Sequence, residues 1–316
     1  MKPPRLFSKA EIVAALARIA PEDVIEAMRQ GFEAYSSGKA QVAPVTHLPF
    51  ADPPGDVHVK CGYITGGEFF VIKLASGFYQ NGDLGLPASS GAMLLASTQN
   101  GFPAALLVDE AYLTDVRTAA AGALAAALLA PKFVEAIGIV GTGAQAHLQL
   151  AWLEHVTACR TAFVWGRDPA KARAFAVDGF TVTPVSTLDE VLARCNLVVT
   201  ATSATEPLVR AERVRTGTHV TAVGADMEGK QELDARLFAR ADVCAVDSRS
   251  QCLDHGEAGY AVRAGIVAPE RFVELGELAT TGRGRTSEAQ ITVADLTGVA
   301  VQDIAIAQLV YAQLLR

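Results

Sequence analysis

Three charged residues lie at positions where a charge is energetically unfavourable unless it is paired or takes part in catalysis or binding. Lys73 lies inside the apolar segment 70–75, and a buried lysine is unfavourable unless it is paired or functional. Arg117 lies in the first turn of an apolar helical segment, where the helix dipole disfavours a cation, so an anion such as a substrate carboxylate should offset it. Asp226 follows an apolar strand, at the end where open α/β sheets bind ligands, and could exchange a proton with a bound substrate.

Each of these residues also has a purely structural interpretation. Lys73 could be a charge that discourages aggregation at the edge of a sheet. Arg117 could form an ion pair with Asp115 or Asp109, and Asp226 could be an ordinary turn aspartate. The sequence leaves both interpretations open for each residue taken alone.

A glycine-rich turn joins an apolar strand over 134–140 to a helical pattern that continues to about residue 154. This strand–turn–helix context is the one that a dinucleotide-binding G-x-G-x-x-A fingerprint requires. Gly141 permits the tight turn, Gly143 lets the backbone approach a pyrophosphate, and Ala146 allows close packing of helix on strand. The helix N-terminus then offers N–H groups to the phosphates. The predicted cofactor-binding loop consists of Gly141, Thr142, Gly143, Ala144, Gln145 and Ala146.

The segment after the next strand bears on the choice of cofactor. In NAD-binding folds, an acidic residue at this point binds the ribose 2′-hydroxyl. Here the strand is followed by Gly166, Arg167 and Asp168, and Arg167 can pair with a 2′-phosphate. We therefore expect NAD(H) or NADP(H), with NADP(H) slightly favoured. Alternatively, Arg167 is a solvated loop charge and Asp168 caps the following helix.

The elements that position these residues indicate two domains, as the length of 316 residues also suggests. Alternating strands and helices predict an α/β fold with a Rossmann domain over 119–290. Residues 1–118 and 291–316 are expected to form a second α+β domain for substrate binding and dimerisation, in which the C-terminal helix joins the N-terminal part. The predicted strands are 41–50, 57–65, 69–75, 92–97, 104–108, 134–140, 161–165, 197–200, 219–223 and 243–246. The predicted helices are 8–19, 21–36, 115–129, 144–154, 169–176, 187–194 and 298–314.

Composition excludes several classes of protein. A formal net charge of −7 gives no support to nucleic-acid binding, and no apolar run is long enough to span a bilayer. The first residues lack the apolar core of a signal peptide. The five cysteines are scattered, and no histidine or cysteine cluster has the spacing of a metal site. We therefore expect a cytoplasmic protein with reduced cysteines and no metal.

Taken together, these segments resemble the ornithine cyclodeaminase/μ-crystallin family. The matching stretches are 73–76 with 85–87, 113–120, 141–146, 223–226, 247–251 and 298–303. The resemblance implies a homodimer formed through the N-terminal domain, a substrate carboxylate held by Lys73 and Arg117, and an acid/base role for Asp226. Lys73 is also expected to polarise the imine. Thr118, in the stretch 113–120, is assigned to cofactor binding.

The chain departs from the family pattern in one place. Many members carry an arginine in a Pro-x-Arg context as a further carboxylate ligand, whereas this chain has Thr46 in that position. Lys60, with His47, could supply replacement substrate contacts. Three cations around one pocket would suit an imino acid with a second carboxylate.

The resemblance implies hydride transfer between a nicotinamide and the Cα of an amino or imino acid. We expect an NAD(P)H-dependent reductase of a small 2-imino acid, of the cyclic ketimine, iminosuccinate or iminopropionate type, or the reverse dehydrogenase. A cation-rich pocket would repel the terminal ammonium of ornithine. The alternatives are an ornithine cyclodeaminase with bound NAD, which makes proline and ammonia, and a non-catalytic μ-crystallin-like binding protein.

Overall fold

The computed structural model of the chain describes residues 3–78 and 80–316. The strands of this part are β1 (Arg5–Ser8), β2 (Ala40–Val42), β3 (Thr46–Ala51), β4 (Pro54–Ile64), β5 (Phe69–Phe78), β6 (Ser89–Ser97), β7 (Pro103–Val108), β8 (Ile137–Val140), β9 (Thr161–Trp165), β10 (Thr181–Pro184), β11 (Leu197–Thr200), β12 (His219–Ala222), β13 (Val243–Val246), β14 (Phe272–Glu274) and β15 (Thr292–Asp295). The helices are α1 (Lys9–Leu16), α2 (Pro21–Ser36), α3 (Tyr112–Leu129), α4 (Ala144–Leu153), α5 (Pro169–Ala174), α6 (Leu188–Arg194), α7 (Leu237–Arg240), α8 (Arg249–His255), α9 (Glu257–Arg263), α10 (Leu275–Thr281) and α11 (Ala300–Leu314).

The chain forms two compact units, Met1–Arg117 with Val299–Arg316, and Thr118–Gly298. The sequence predicts a Rossmann domain that ends at residue 290, but the second unit runs to Gly298. The physical reason is β15, which lies between β12 and β13 in the sheet of that unit. Within the described residues, no helix combines the length and the apolar character needed to cross a membrane.

The first unit is built on a mixed sheet with the strand order β1-β7-β6-β5-β4-β2, to which β3 adds by pairing with β4. The predicted strand over 41–50 is split into β2 and β3 around Pro44, which has no N–H to donate to a ladder. Helix α11 packs on this sheet and on α2. A Cβ on Gly31 of α2 would lie 3.2 Å from the Val301 carbonyl oxygen, so glycine permits this close approach of two helices.

Residues of the first sheet alternate between a covered and an uncovered face. Met93 of β6 and Leu107 of β7 are fully buried on the covered face. The alternate positions form one cross-strand row that is only partly covered within the single chain, and we call it the outer row: Leu6, Leu106, Leu94, Ile72 and Cys61. Leu6 is 68% exposed.

The second unit is a parallel sheet with the strand order β10-β9-β8-β11-β12-β15-β13-β14. The chain leaves β8 toward β9 and β10 and later returns to β11 on the other side of β8. This reversal is the topological switch point at which open α/β sheets bind ligands. The predicted α/β fold with a Rossmann domain and a second domain is confirmed. Strands β10, β14 and β15 were missed by the sequence analysis, as was β1 in the first unit.

Candidate active site

A buried cluster of opposite charges lies in the first unit. Lys73 of β5 and Asp303 of α11 are each 2% exposed, and the lysine Nζ donates to Asp303 Oδ1 at 3.0 Å. The Nε of Arg117, in α3, lies 3.1 Å from the same carboxylate oxygen. The Nη1 of Arg117 donates to Gln302 Oε1. Asp303 is therefore an anion that offsets the cation in the first part of α3, and the sequence analysis did not consider it.

Lys60 adds positive charge to this cluster. It lies on β4 directly opposite Lys73 on β5, so both side chains leave the same face of the sheet. Burial lowers the pKa of Lys73 to about 7, and Arg117 and Lys60 act in the same direction against the attraction of Asp303. Burial alone would raise the pKa of Asp303, but Lys73, Arg117 and Lys60 outweigh it and hold this pKa below its ordinary value. The cluster thus has three cationic side chains around Asp303 and suits an anionic ligand.

The start of α3 is fixed by Asp109. Its Oδ2 accepts from the Leu113 N–H at 2.8 Å, and burial raises the pKa of its carboxyl group. The next two residues, Glu110 and Ala111, have left-handed backbone angles of φ 53° and 68°. Such angles cost a non-glycine residue about 1–2 kcal/mol each. This turn sets the direction of α3 and hence the place of Arg117.

The predicted cofactor-binding loop follows β8 in the second unit. Gly141 has φ 125°, and a Cβ there would lie 2.4 Å from the Ala201 carbonyl oxygen, so only glycine fits. Gly143 is the N-cap of α4, without a side-chain cap, and a Cβ on it would meet nothing within 4 Å. Ala146 is fully buried among the strands of this sheet. The uncapped helix end and the open space at Gly143 fit a pyrophosphate group.

The other residues predicted around this loop have local contacts. Thr142 contacts the neighbouring loop so closely that a Cβ on Gly166 would lie 2.6 Å from its Cγ2. Ala144 begins α4. Gln149 Nε2 donates to the Thr118 carbonyl oxygen at 3.0 Å and to Gln145 Oε1 at 3.5 Å. These contacts hold the start of α4 against the backbone at Thr118.

The loop after β9 carries the residues that bear on the choice of cofactor. Asp168 Oδ1 accepts from the Ala170 N–H at 2.8 Å and thereby caps α5. This is the structural role that the sequence analysis gave as an alternative for Asp168. Arg167 is exposed.

Asp226 lies in the loop that follows β12, also in the second unit. Its side chain is 49% exposed, and its Oδ1 accepts from Lys230 Nζ at 2.7 Å. The carboxylate of Asp226 is therefore accessible to a ligand, as an acid/base role requires.

A buried carboxylate that the sequence analysis missed supports this loop. Glu232 is fully buried and accepts from the Thr200 hydroxyl at 2.7 Å, the Thr202 N–H at 2.7 Å and the Gly224 N–H at 2.8 Å. Burial raises its pKa, and these hydrogen bonds oppose the increase. A Cβ on Gly224 would lie 2.2 Å from the Thr202 carbonyl oxygen and 2.6 Å from Glu232 Cδ, so only glycine fits two residues before Asp226. Glu232 therefore ties the ends of β11 and β12 together.

His47 lies on β3, directly opposite His58 of β4. The two imidazole rings stack with centroids 4.6 Å apart and an interplanar angle of 18°. His58 and Lys60 are two residues apart on β4, so His47, His58 and Lys60 share one face of the sheet.

The signal that could have revealed Gln302 and Asp303 is their polarity within an apolar helical segment. Both are buried in α11, where most neighbouring positions are aliphatic. The two residues were noted only as part of a family stretch, because their partners are far away in the sequence.

Comparisons with known proteins agree with the fold described above. The model of the ornithine cyclodeaminase/mu-crystallin family matches residues 5–316. An uncharacterized cyclodeaminase of Sinorhizobium fredii is 42% identical, over 92% of this chain and 90% of its own. The alanine dehydrogenase of Archaeoglobus fulgidus is 35% identical, over 93% and 90%. The iminosuccinate reductase of Paracoccus denitrificans is 31% identical, over 92% and 91%.

Several solved structures cover nearly the whole chain. The Thermococcus litoralis Δ1-pyrroline-2-carboxylate reductase in complex with NADH and L-proline has a TM-score of 0.90 at 28% identity, covering 98% of this chain and 97% of that one. An archaeal alanine dehydrogenase dimer with bound NAD has a TM-score of 0.89 at 33% identity, covering 99% and 96%. The chain therefore belongs to the ornithine cyclodeaminase/mu-crystallin family and is an enzyme of the oxidoreductase class.

Proposed function

We propose that this enzyme reduces a small 2-imino acid to the L-amino acid with NAD(P)H, or catalyses the reverse dehydrogenation. The observation that carries the proposal is the buried cluster of Lys73, Arg117 and Asp303 with Lys60 beside it. Its excess of positive charge, held in a buried site, suits a carboxylate. Three relatives whose names specify alanine, iminosuccinate and pyrroline-2-carboxylate all act on compounds of this chemical class.

The roles of the side chains follow from their chemistry. Arg117 presents a planar guanidinium that can hold a carboxylate through two hydrogen bonds, and Lys73 adds a point charge and can polarise the imine. Asp226 gives a proton to the imine nitrogen or takes one from the amine. A bound dinucleotide supplies or accepts the hydride. The loop 141–146 binds its pyrophosphate through backbone N–H groups, and Thr118 lies beside this loop through Gln149.

The charge of the site favours a reductase over ornithine cyclodeamination. Cyclodeamination requires a pocket that positions the terminal ammonium of the substrate. Lys60, Lys73 and Arg117 around one position would repel this group, whereas they would attract a second carboxylate. We therefore rank iminosuccinate-type substrates first and cyclic ketimines and iminopropionate next. The name of the Sinorhizobium relative keeps the cyclodeaminase as the second candidate.

We propose that the cofactor is NAD(H) or NADP(H), with Arg167 as the residue that admits the 2′-phosphate. Arg167 is exposed in the loop after β9, and Asp168 is committed to capping α5. An arginine at this point is the usual device for accommodating NADP(H). The related structures named above contain NADH and NAD, so both forms belong in the assay.

We also propose a homodimer that covers the outer row. The five residues of the outer row are direct cross-strand neighbours and form an apolar stripe across five strands. Monomers rarely leave large apolar patches exposed, and the archaeal alanine dehydrogenase named above is a dimer. Ile72→Asp should convert the dimer to a monomer in light-scattering measurements, whereas Phe133→Asp, at an exposed apolar position outside the row, should leave it intact.

All five cysteines are free, which agrees with a location in the cytoplasm.

The decisive experiment is a substrate panel. Oxidation of NADH and NADPH is followed with oxaloacetate plus ammonia, pyruvate plus ammonia or methylamine, and Δ1-pyrroline-2-carboxylate, alongside an assay of proline and ammonia from ornithine. We expect cofactor consumption with at least one imine source and none with ornithine. Proline formed without net consumption of NADH would establish the cyclodeaminase instead. Cofactor binding without turnover in any assay would favour a non-catalytic binding protein of the μ-crystallin type.

A further inference from the structure

We infer that His47, Asp56 and His58 form a binding site for one divalent transition-metal ion of the zinc type. Asp56 and His58 are two residues apart on β4 and so project from the same face, and His47 lies opposite His58 on β3. One ligand atom from each of the three side chains can be chosen so that all lie within 4.8 Å of one another. An i, i+2 pair on one strand plus a residue on the adjacent strand places three potential ligands close together on one face of the sheet.

The distances leave room for an ion between the groups. His58 Nε2 lies 3.9 Å from Asp56 Oδ1, which is too long for a hydrogen bond. Two ligand atoms bound tetrahedrally at about 2.1 Å would be roughly 3.4 Å apart, so His58 Nε2 and Asp56 Oδ1 need approach each other by about half an ångström. The ring planes of His47 and His58 are nearly parallel, so one ring must turn before the in-plane lone pairs of both can meet at one ion. The Asp56 and His58 side chains are 13% and 21% exposed, so an ion could enter and remain partly shielded from water.

The donor set defines the class of ion. Two imidazole nitrogens and one carboxylate oxygen are ligands of Zn²⁺, Co²⁺ and Ni²⁺, whereas Ca²⁺ and Mg²⁺ require more oxygen atoms. Three protein ligands leave an open position for water or a carboxylate. Because Lys60 lies on the same face and repels a cation, we expect micromolar rather than nanomolar affinity. Spacing in the sequence could not indicate this site, because the register of β3 against β4 creates it.

The site is tested by metal binding, without an activity readout. Protein stripped with a chelator is titrated with Co²⁺, followed by visible d–d absorption, and with Zn²⁺, followed by calorimetry. We expect one ion per chain in the wild type and at least tenfold weaker binding in His47→Ala and in His58→Ala. His155→Ala is the matched control, because His155 lies 3.6 Å from Glu154 and is 22% exposed but has no place in the site.

The control should bind as the wild type does, and circular dichroism checks that each variant is folded. Absence of binding to the wild type would overturn the inference. Equal binding by the wild type, His47→Ala and His58→Ala would also overturn it, because the ion would then occupy other groups such as cysteines. The proposed imine reduction does not depend on either outcome, so the two proposals fail separately.

Discussion

Substituting Asp303 by asparagine should lower the stability of the protein, because the buried cations lose their anionic partner. The change keeps one acceptor oxygen and removes the negative charge that lies 3.0 Å from Lys73 Nζ and 3.1 Å from Arg117 Nε. Removing one partner of a buried ion pair costs about 3–5 kcal/mol, because the remaining charge has no compensation. Lys73, whose pKa is already lowered to about 7, can become neutral by losing its proton, whereas Arg117 remains charged. The cost therefore arises mainly at Arg117, and we expect about 3–5 kcal/mol in total.

Thermal unfolding measures this cost. At about 2–4 °C per kcal/mol for domains of 150–250 residues, Asp303→Asn should lower the Tm by roughly 6 to 20 °C. Asp189→Asn is the matched control, because Asp189 pairs with Arg213 at 3.4 Å on the surface, with side chains 50% and 54% exposed. An exposed pair contributes about 0–1 kcal/mol, so the control should shift the Tm by a few degrees at most. If Asp303→Asn melted no lower than the control, Asp303 would not compensate the cluster and the reasoning would be refuted.

Three further predictions concern catalysis and the cofactor. Asp226→Asn should lower kcat about 10²- to 10⁴-fold without changing the Kd of NADH, and an unchanged kcat would exclude the acid/base role of Asp226. Glu232→Gln should lower kcat less than Asp226→Asn does and should shift the pH profile of kcat. Initial rates for Arg167→Ala should show a raised KM for NADPH and a KM for NADH that stays within about twofold of the wild type. Equal effects on the two KM values would contradict the proposed contact of Arg167 with the 2′-phosphate. Because the pKa of Lys73 is lowered to about 7, its charge is lost as the pH rises through that value, and kcat/KM should fall by up to about tenfold per pH unit above it; a Lys73→Met variant with the same pH profile would contradict this. The effect of Lys73 on stability runs opposite to its effect on kcat/KM. Between pH 7 and 10.5 the unfolded state binds more protons at Lys73 than the folded state does. The free energy of unfolding therefore increases as the pH rises through this range.

Local patterns in the sequence were sufficient for most of the fold. The hairpin between β6 and β7 follows from Asn100-Gly101, since Gly101 has φ 75° and Asn100 Oδ1 accepts from the Phe102 N–H. Ser8 and Glu11, three residues apart, form a capping box at the start of α1. Strands β1, β10, β14 and β15 were missed because they are three or four residues long and each contains a charged residue or a proline that interrupts its apolar character. The missed β15 also moved the predicted domain boundary.

The site was only partly predictable, because its contacts join distant parts of the chain. Lys73 and Arg117 were singled out by charge in an apolar context, and Lys60 was suggested as a replacement for the arginine that is absent at Thr46. The structure brings the three side chains together. Asp303, however, is separated from Lys73 by 230 positions in the sequence, and no local pattern links them. The same limit applies to Glu232, whose function depends on the ends of two parallel strands meeting. The acid/base role of Asp226 and the substrate contacts of Lys60 and His47 remain predictions.

Arg117→Ala tests most directly whether the buried cations hold the substrate carboxylate. Steady-state kinetics with the best imine of the panel should give a KM raised roughly 10- to 100-fold, since a hydrogen bond to a charged group is worth about 1.5–3 kcal/mol. The Kd of NADH, measured by fluorescence on the same protein, should stay within about twofold. An unchanged KM combined with a lower Tm would contradict the account, because Arg117 would then serve only as the structural partner of Asp303.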